Sequence, residues 1–266
     1  MDPVTLPDSA PMASPEFEFP QPSPAAVEAL APTGTLRAAI NLSNFLLVTG
    51  KGDDGNPEGV SPDMARALAE RLGVGVELLR YKSPGLVADD APNNAWDIGN
   101  IGAEAKRAEV IAFTDAYCEI EATYLVPPGS DITSIEEVDQ PGRRIASAAR
   151  SAYDLWLERN IQHAELVQVT GTDASFTALV EQELDAMAGL RPGLIADVER
   201  LPGSRILDGQ FTAVRQAMGT PRGRAEEGHA YLSSFVEAAK ASGFVAGLIE
   251  KHGVTGRLSV APPAGG

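Results

Sequence analysis

Short apolar runs alternate with segments of helical spacing along most of the chain. Gly34-Thr35-Leu36-Arg37-Ala38-Ala39-Ile40 reads as a strand leaving a turn. Asp53-Asp54-Gly55-Asn56 is a turn. Ser61-Pro62-Asp63 then opens a helix with a Ser cap, a proline in the first turn and an acid at the positive dipole end. Met64, Leu68 and Leu72 share one face of that helix and Gly73 ends it. Val76–Tyr81 is the next strand, so the connection is long enough for a parallel crossover. Trp96–Ile101 is a further strand, and Tyr124-Leu125-Val126 runs into the break Pro127-Pro128-Gly129-Ser130.

The same pattern is then played again. Arg144–Ala146 is a strand, Ala152–Asn160 a helix, Ala164–Val169 a strand, Ala174–Glu183 a helix and Asp185–Gly189 a strand. Arg224–His252 has helical spacing through Leu232, Phe235, Val236 and Ala239. Two strand–helix–strand series argue for two α/β lobes. Residues 1–32, rich in Pro, Ser, Ala and acids, read as a mostly disordered lead-in with a short helix at Ala25–Leu30. No solenoid repeat is visible.

Composition narrows the function classes. The 266 residues carry 37 acids against 21 Lys and Arg, a net charge of −16. That balance argues against nucleic acid or an anionic membrane surface, since both need clustered bases. One cysteine, Cys118, excludes an intramolecular disulfide and any multi-cysteine zinc site. It reads as a small buried hydrophobe, because no His is near it in sequence. His163, His229 and His252 are dispersed, so no metal site and no cofactor is expected. No run approaches roughly 18 apolar residues, so no direct membrane insertion is expected. Met1-Asp2-Pro3 carries an acid where an export signal carries bases. The expectation is a chain that stays inside the cell or one that has been trimmed.

Several ordered blocks then carry a resemblance. Gly34-Thr35-Leu36-Arg37 precedes Pro57-Glu58-Gly59-Val60-Ser61-Pro62-Asp63-Met64 and Leu68-Ala69-Glu70-Arg71-Leu72-Gly73-Val74. Trp96-Asp97-Ile98-Gly99 and Arg107-Ala108-Glu109-Val110-Ile111-Ala112-Phe113-Thr114-Asp115-Ala116-Tyr117 follow. From about residue 34 to about 255, their order and spacing resemble the family 3 extracellular solute-binding proteins, the polar amino-acid-binding components of ABC transporters. The resemblance implies an α/β, type II periplasmic-binding-protein fold: two lobes, two hinge strands and a ligand cleft between them. Hinges are expected near Glu121–Tyr124 and Asp208–Arg215. Residues 33–121 and 212–266 would then form a discontinuous first lobe and residues 122–211 the second.

The resemblance also implies a ligand set. Asn41 and Asn44 follow the first strand, where members line the cleft; the plain alternative is that both satisfy turn backbone. Arg107 matches the arginine that grips a ligand carboxylate as a bidentate fork. Asn100 and Gly102 are its expected neighbours, although the segment from Asp97 to Arg107 is shorter than in typical members. In the second lobe, Ser147 to Tyr153 spans the strand-to-helix turn whose N–H groups face the carboxylate. Ser151 fits as cap and ligand residue, Arg150 stands where glycine is usual, and Tyr153 is the aromatic expected to cover the ligand. Members commonly place an acid for the ligand ammonium where this chain has Leu190, beside Arg191. Arg107, Arg150 and Arg191 would then make a cationic cleft for a carboxylate, dicarboxylate or atypically held amino acid.

These features imply a monomeric binding protein that delivers a small carboxylate or amino acid to a membrane ABC permease. The periplasm is the location implied by the family; the chain itself is equally at home in the cytoplasm. The alternatives are a lyase like the cyclohexadienyl dehydratases, with Glu104, Asp115, Glu119 or Glu121 as acid, and a sensor domain. No catalytic set matches a motif, and the bland reading of those acids is surface charge.

Overall fold

The computed structural model describes residues 19–265. Its strands are β1 (Thr35–Asn41), β2 (Gly50–Lys51), β3 (Pro57–Glu58), β4 (Gly75–Tyr81), β5 (Ile98–Gly102), β6 (Ile111–Val126), β7 (Arg144–Ala148), β8 (Glu165–Val169), β9 (Ala186–Leu190), β10 (Arg205–Ile206), β11 (Thr212–Pro221) and β12 (Ser259–Val260). Its helices are α1 (Pro24–Leu30), α2 (Val60–Leu72), α3 (Pro84–Asp90), α4 (Ala152–Asn160), α5 (Thr172–Glu181), α6 (Arg191–Arg200), α7 (Glu226–Ala241) and α8 (Phe244–Lys251).

The main sheet runs β4-β1-β5-β11-β6-β9-β7-β8, with β10 and β12 also paired to β6. β1 lies parallel to both β4 and β5, and β7 parallel to both β8 and β9. Among the described residues, the two parallel sets are joined only through the antiparallel β6 and β11. β11 meets β5 through Gln216–Gly219, whereas β6 meets β9 through Ala122–Leu125. Each crossing strand therefore belongs to one lobe at one end and to the other lobe at the other.

Both faces of each set are covered, so the strands are apolar on both sides. In β1, Leu36, Ala38 and Ile40 join Met64, Leu68 and Phe235 on one face, while Ala39 meets Val87 and Trp96 on the other. In the second lobe, Tyr124, Val126 and Ile145 pack with Leu157, while Leu125 and Ala146 pack with Leu179 and Leu194. The core changes lobe between Ile120 and Ala122 along β6. Cys118 is buried in the first core, and its thiol is pushed well up by that burial.

Four expectations are revised. The lead-in is not disordered where it is described. Ser23 caps α1, Ala26 and Leu30 are buried, and the Phe19 ring lies 5.6 Å from Phe235. Residues 1–18 lie outside the described residues. α2 begins at Val60 with Gly59 as its N-cap, so Ser61 is not the cap. A Cβ on Gly59, at φ 147°, would stand 2.2 Å from the Leu47 carbonyl oxygen, so glycine is required there. α5 starts at Thr172 rather than Ala174. Finally, Arg224–His252 is two helices, broken at Gly243 in the left-handed conformation and bent by 67°. No single described helix is long and apolar enough to cross a membrane.

Candidate functional site: an arginine at the floor of the cleft

The chain leaves β5 at Gly102 and makes a short helical turn over Arg107–Glu109 before entering β6. That turn carries Arg107 beneath the cleft, where it is only 3% exposed. Its Nη1 donates to the Gly102 carbonyl and its Nη2 to the Arg150 carbonyl, each at 2.7 Å. One acceptor belongs to the first lobe and the other to the second. No described carboxylate pairs with this guanidinium. Burial first, and the Arg150 charge second, lower its pKa to about 10.

A cavity of about 80 Å³ opens at Arg107. The first lobe lines it with Asn41, Ser43, Asn44, Pro84 and Gly102, and the second with Ala152, Tyr153, Thr172 and Leu190. Val214 and Gln216 of β11 complete the wall. Gly102 leaves room for no side chain at this wall: a Cβ there would stand 3.0 Å from Ala152 Cβ and 3.1 Å from Val214 Cγ1. No Asp or Glu lines the cavity among the described residues.

Five expected residues therefore meet at this cavity: Asn41, Asn44, Gly102, Arg107 and Tyr153. Both asparagines also serve the turn after β1. Asn41 Oδ1 accepts from Ser43 N and Oγ, and Asn44 Oδ1 accepts from Leu46 N. Tyr153 is buried, which raises its hydroxyl to about pKa 12.

The other five depart from expectation. Asn100 is buried in β5 and donates to the Ser61 carbonyl at 2.9 Å, so it pins α2 rather than lining the cavity. Ser147 is buried within β7, also away from the wall. Ser151 is the cap of α4, accepting from Asp154 N at 3.1 Å, and does not reach the cavity. Arg150, at φ 64° in the region where glycine is favoured, sends its guanidinium to Asp89 at 2.6 and 3.1 Å and to the Gly85 carbonyl. It accepts from Arg107 through its carbonyl, while its guanidinium is turned to Asp89. Arg191 donates to Glu121 at 2.5 Å and to the Gly209 carbonyl. The three-arginine cleft thus reduces to Arg107, because the other two face carboxylates outside it.

The acids considered as proton donors are also placed. Glu104 contacts Arg159 across the cleft and accepts the Lys106 N–H at 2.9 Å. Glu119 pairs with Arg215 at 3.1 Å, Glu121 with Arg191, and Asp115 is exposed. None lines the cavity.

Sequence reasoning missed Ser43, Pro84, Thr172, Val214 and Gln216. Thr172 had a signal: Gly171-Thr172-Asp173 is a glycine followed by an acid-bearing helix start. Gln216 had none. It reaches the cavity at a register shift of β11 against β6, which only the pairing reveals.

The chain matches the model of the bacterial extracellular solute-binding proteins, family 3, over residues 44–255. It is 25% identical over 138 residues to the L-cystine-binding protein of Escherichia coli (strain K12), covering 52% of each chain. It thus spans about half the length of the curated relatives it matches. Among solved structures, an amino acid ABC transporter substrate-binding protein of Streptococcus pneumoniae bound to L-arginine superposes with TM-score 0.67. That pair is 22% identical over 85% of this chain and 97% of the other. A binding component from Wolinella succinogenes, complexed with lysine, gives TM-score 0.67 at 19% identity over 82% and 95% of the two chains. An ancestral amino acid-binding protein described as a precursor of cyclohexadienyl dehydratase gives 0.66 at 21%, over 85% and 98%. With two lobes joined by paired crossing strands and a match over most of its length, the chain belongs to the bacterial extracellular solute-binding proteins, family 3.

Proposed function

We propose that the protein captures a small carboxylate-bearing solute between its lobes and presents it to an ABC-type permease, outside the cytoplasmic membrane. Arg107 carries this reading. It is buried, it touches both lobes and it has no carboxylate partner, whereas Arg150, Arg159 and Arg191 around it each have one. A buried cation without a counter-charge is costly, and an anionic guest relieves that cost. Guanidinium is also the group best suited to hold a carboxylate by two parallel bonds.

Asn41, Asn44, Ser43, Tyr153, Thr172 and Gln216 then orient the guest from both lobes. The first lobe is residues 33–121 and 212–266, the second residues 122–211, and the hinges lie where β6 and β11 change partners. Binding and closure are one equilibrium, since contacts made by both lobes exist only when the cleft is shut. A cavity wall without a carboxyl group favours capture over acid catalysis, and it offers no counter-charge for an α-ammonium. The ligand class is therefore an organic acid before an amino acid.

Native mass spectrometry of freshly purified protein tests this. A co-purified small acid, lost in Arg107→Met, is the expected result. A co-purified neutral or cationic molecule retained by Arg107→Met would contradict it.

A further inference from the structure

The cavity at Arg107 is too small for most solutes. About 80 Å³ is the room of roughly two or three waters. A carboxylate and its neighbouring carbon occupy that space, and the remainder of any ligand must leave through the wall. One wall leads somewhere. Ser43, Tyr153, Thr172 and Leu190 line both this cavity and a second chamber of about 420 Å³.

The chamber lies between α5, β9 and α6 of the second lobe, and the first lobe roofs it with Phe45 and Arg257. Phe45 is 43% exposed, and its ring edge stands 3.7 Å from where a Cβ of Gly193 would be. Met187, Leu190, Pro192 and Leu194 supply an apolar wall between Tyr153 and Phe45. The acids of the chamber are already engaged, and Arg257 has no carboxylate partner among the described residues. Arg200 holds Asp197 at 2.7 Å and Asp173 at 3.3 Å, with its guanidinium 3.9 Å from the Phe176 ring centre. Arg257 stands over Phe45 at 5.6 Å. Neither acid is left over for a basic side chain.

We infer that this chamber is the specificity pocket of the Arg107 site, and that it takes the large uncharged apolar or aromatic body of a monocarboxylate. The inference rests on the carboxylate reading given above. Capacity, continuity with the Arg107 cavity, an apolar wall and acids already held by Arg200 point to the same guest. A ligand with a cationic tail would compete with Arg200 for Asp197 and Asp173. A short polar acid would leave the chamber wall in water.

A ligand series with one carboxylate and a variable tail provides the test. Dissociation constants for propionate, 3-phenylpropionate and L-arginine are measured by ligand-observed NMR on the full chain. Measurements are repeated on Ala196→Trp, which projects an indole into the chamber from an exposed helix position. Phe45→Ala, which removes the roof from an exposed loop, is the second variant. Burial of the ring makes 3-phenylpropionate about ten- to a hundred-fold tighter than propionate in the parent chain. In both variants that advantage falls to within about threefold, with propionate affinity unchanged. Equal affinity of the two acids, an unchanged phenyl advantage in Ala196→Trp, or a preference for L-arginine would overturn the chamber assignment while leaving the carboxylate site standing. No binding of either acid would overturn both.

Discussion

The floor and the rim of the cleft use the same side chain in opposite ways. At the rim, Arg150, Arg159 and Arg191 each meet a carboxylate: Asp89, Glu104 and Glu121. Arg150 and Arg159 thereby tie the second lobe to the first. At the floor, Arg107 meets only carbonyls and is the most deeply buried of the four. A guanidinium with an acid in hand is a strut; one held by neutral acceptors in a low-dielectric site keeps its appetite for an anion. Under the proposed function, that difference lets an acidic protein receive an acid. Many of its bases are neutralised locally, whereas Arg107, buried where the lobes meet, has no carboxylate partner among the described residues.

The largest expected effect comes from removing the floor. Charged hydrogen bonds are worth roughly 1.5–3 kcal/mol each, so losing a two-bond grip costs about 3–6 kcal/mol of binding. Arg107→Met should therefore weaken a bound acid by a few hundred-fold or more in calorimetry, with cooperative unfolding preserved. If affinity moved less than about tenfold, the floor and the rim would not differ in kind.

A third arginine setting sharpens the contrast. Asp97 is fully buried and accepts from Arg37 at 2.8 Å and Arg224 at 2.8 Å, as well as from the Arg37 backbone N–H. It ties β1 to the start of β5 and to the approach to α7. Breaking a buried ion pair by removing one partner typically costs about 3–5 kcal/mol. Urea unfolding of Asp97→Ala should show a loss of that order. A rim-sized loss below about 1 kcal/mol would mean that burial does not set the value of these pairs.

Next in size is closure itself. Gly102→Val forces a branched side chain against Ala152 of the other lobe, an overpacking of about 1–3 kcal/mol that opposes closure. Small-angle scattering should show the variant remaining extended when ligand is added, while its unfolding midpoint stays near that of the parent. A parent-like compaction would remove Gly102 from the interlobe contact.

The rim pair is weaker. Both Arg150 and Asp89 are exposed, and such pairs contribute about 0–1 kcal/mol. A double-mutant cycle on Arg150 and Asp89 should give that value at low salt and nothing measurable at 1 M salt.

The smallest effect is acid-dependent. Burial pushes the Asp63 carboxyl up, but hydrogen bonds from Lys251, His252 and Arg66 outweigh it and leave the group below the usual carboxylate range. A depressed folded value means this contribution is present above the unfolded pKa of about 3.9. It is lost as pH falls through the folded value. Asp63→Asn should flatten the acid limb of the stability curve by less than about 1 kcal/mol, since solvent screens the pair. An unchanged limb would place the acid sensitivity elsewhere.

Much of the fold was legible because its signals are local. Leu36, Met64, Leu68 and Gly73 announce β1 and α2 within a few turns of chain, and the repeated strand–helix series announces two lobes. What escaped depended on distant partners. The role of Phe19 is set by Phe235 and Phe244, more than two hundred residues away along the chain. β6 is buried on both faces, so it lacks the alternation that marks a half-exposed strand. At the site, Arg107 was readable from the blocks that fix its register. Arg150 and Arg191 were not, because the direction of a long side chain is decided by whichever acid comes within reach, here Asp89 and Glu121. Gln216 carries no pattern at all, being positioned by a bulge.

One titration bears most directly on the central claim that Arg107 grips a negative group between the lobes. Calorimetry with 3-phenylpropionate and with its neutral amide changes the charge while keeping nearly the same shape. The acid should bind at least about a hundred-fold more tightly, the worth of replacing two charged hydrogen bonds by neutral ones. Equal affinities for acid and amide would contradict the account.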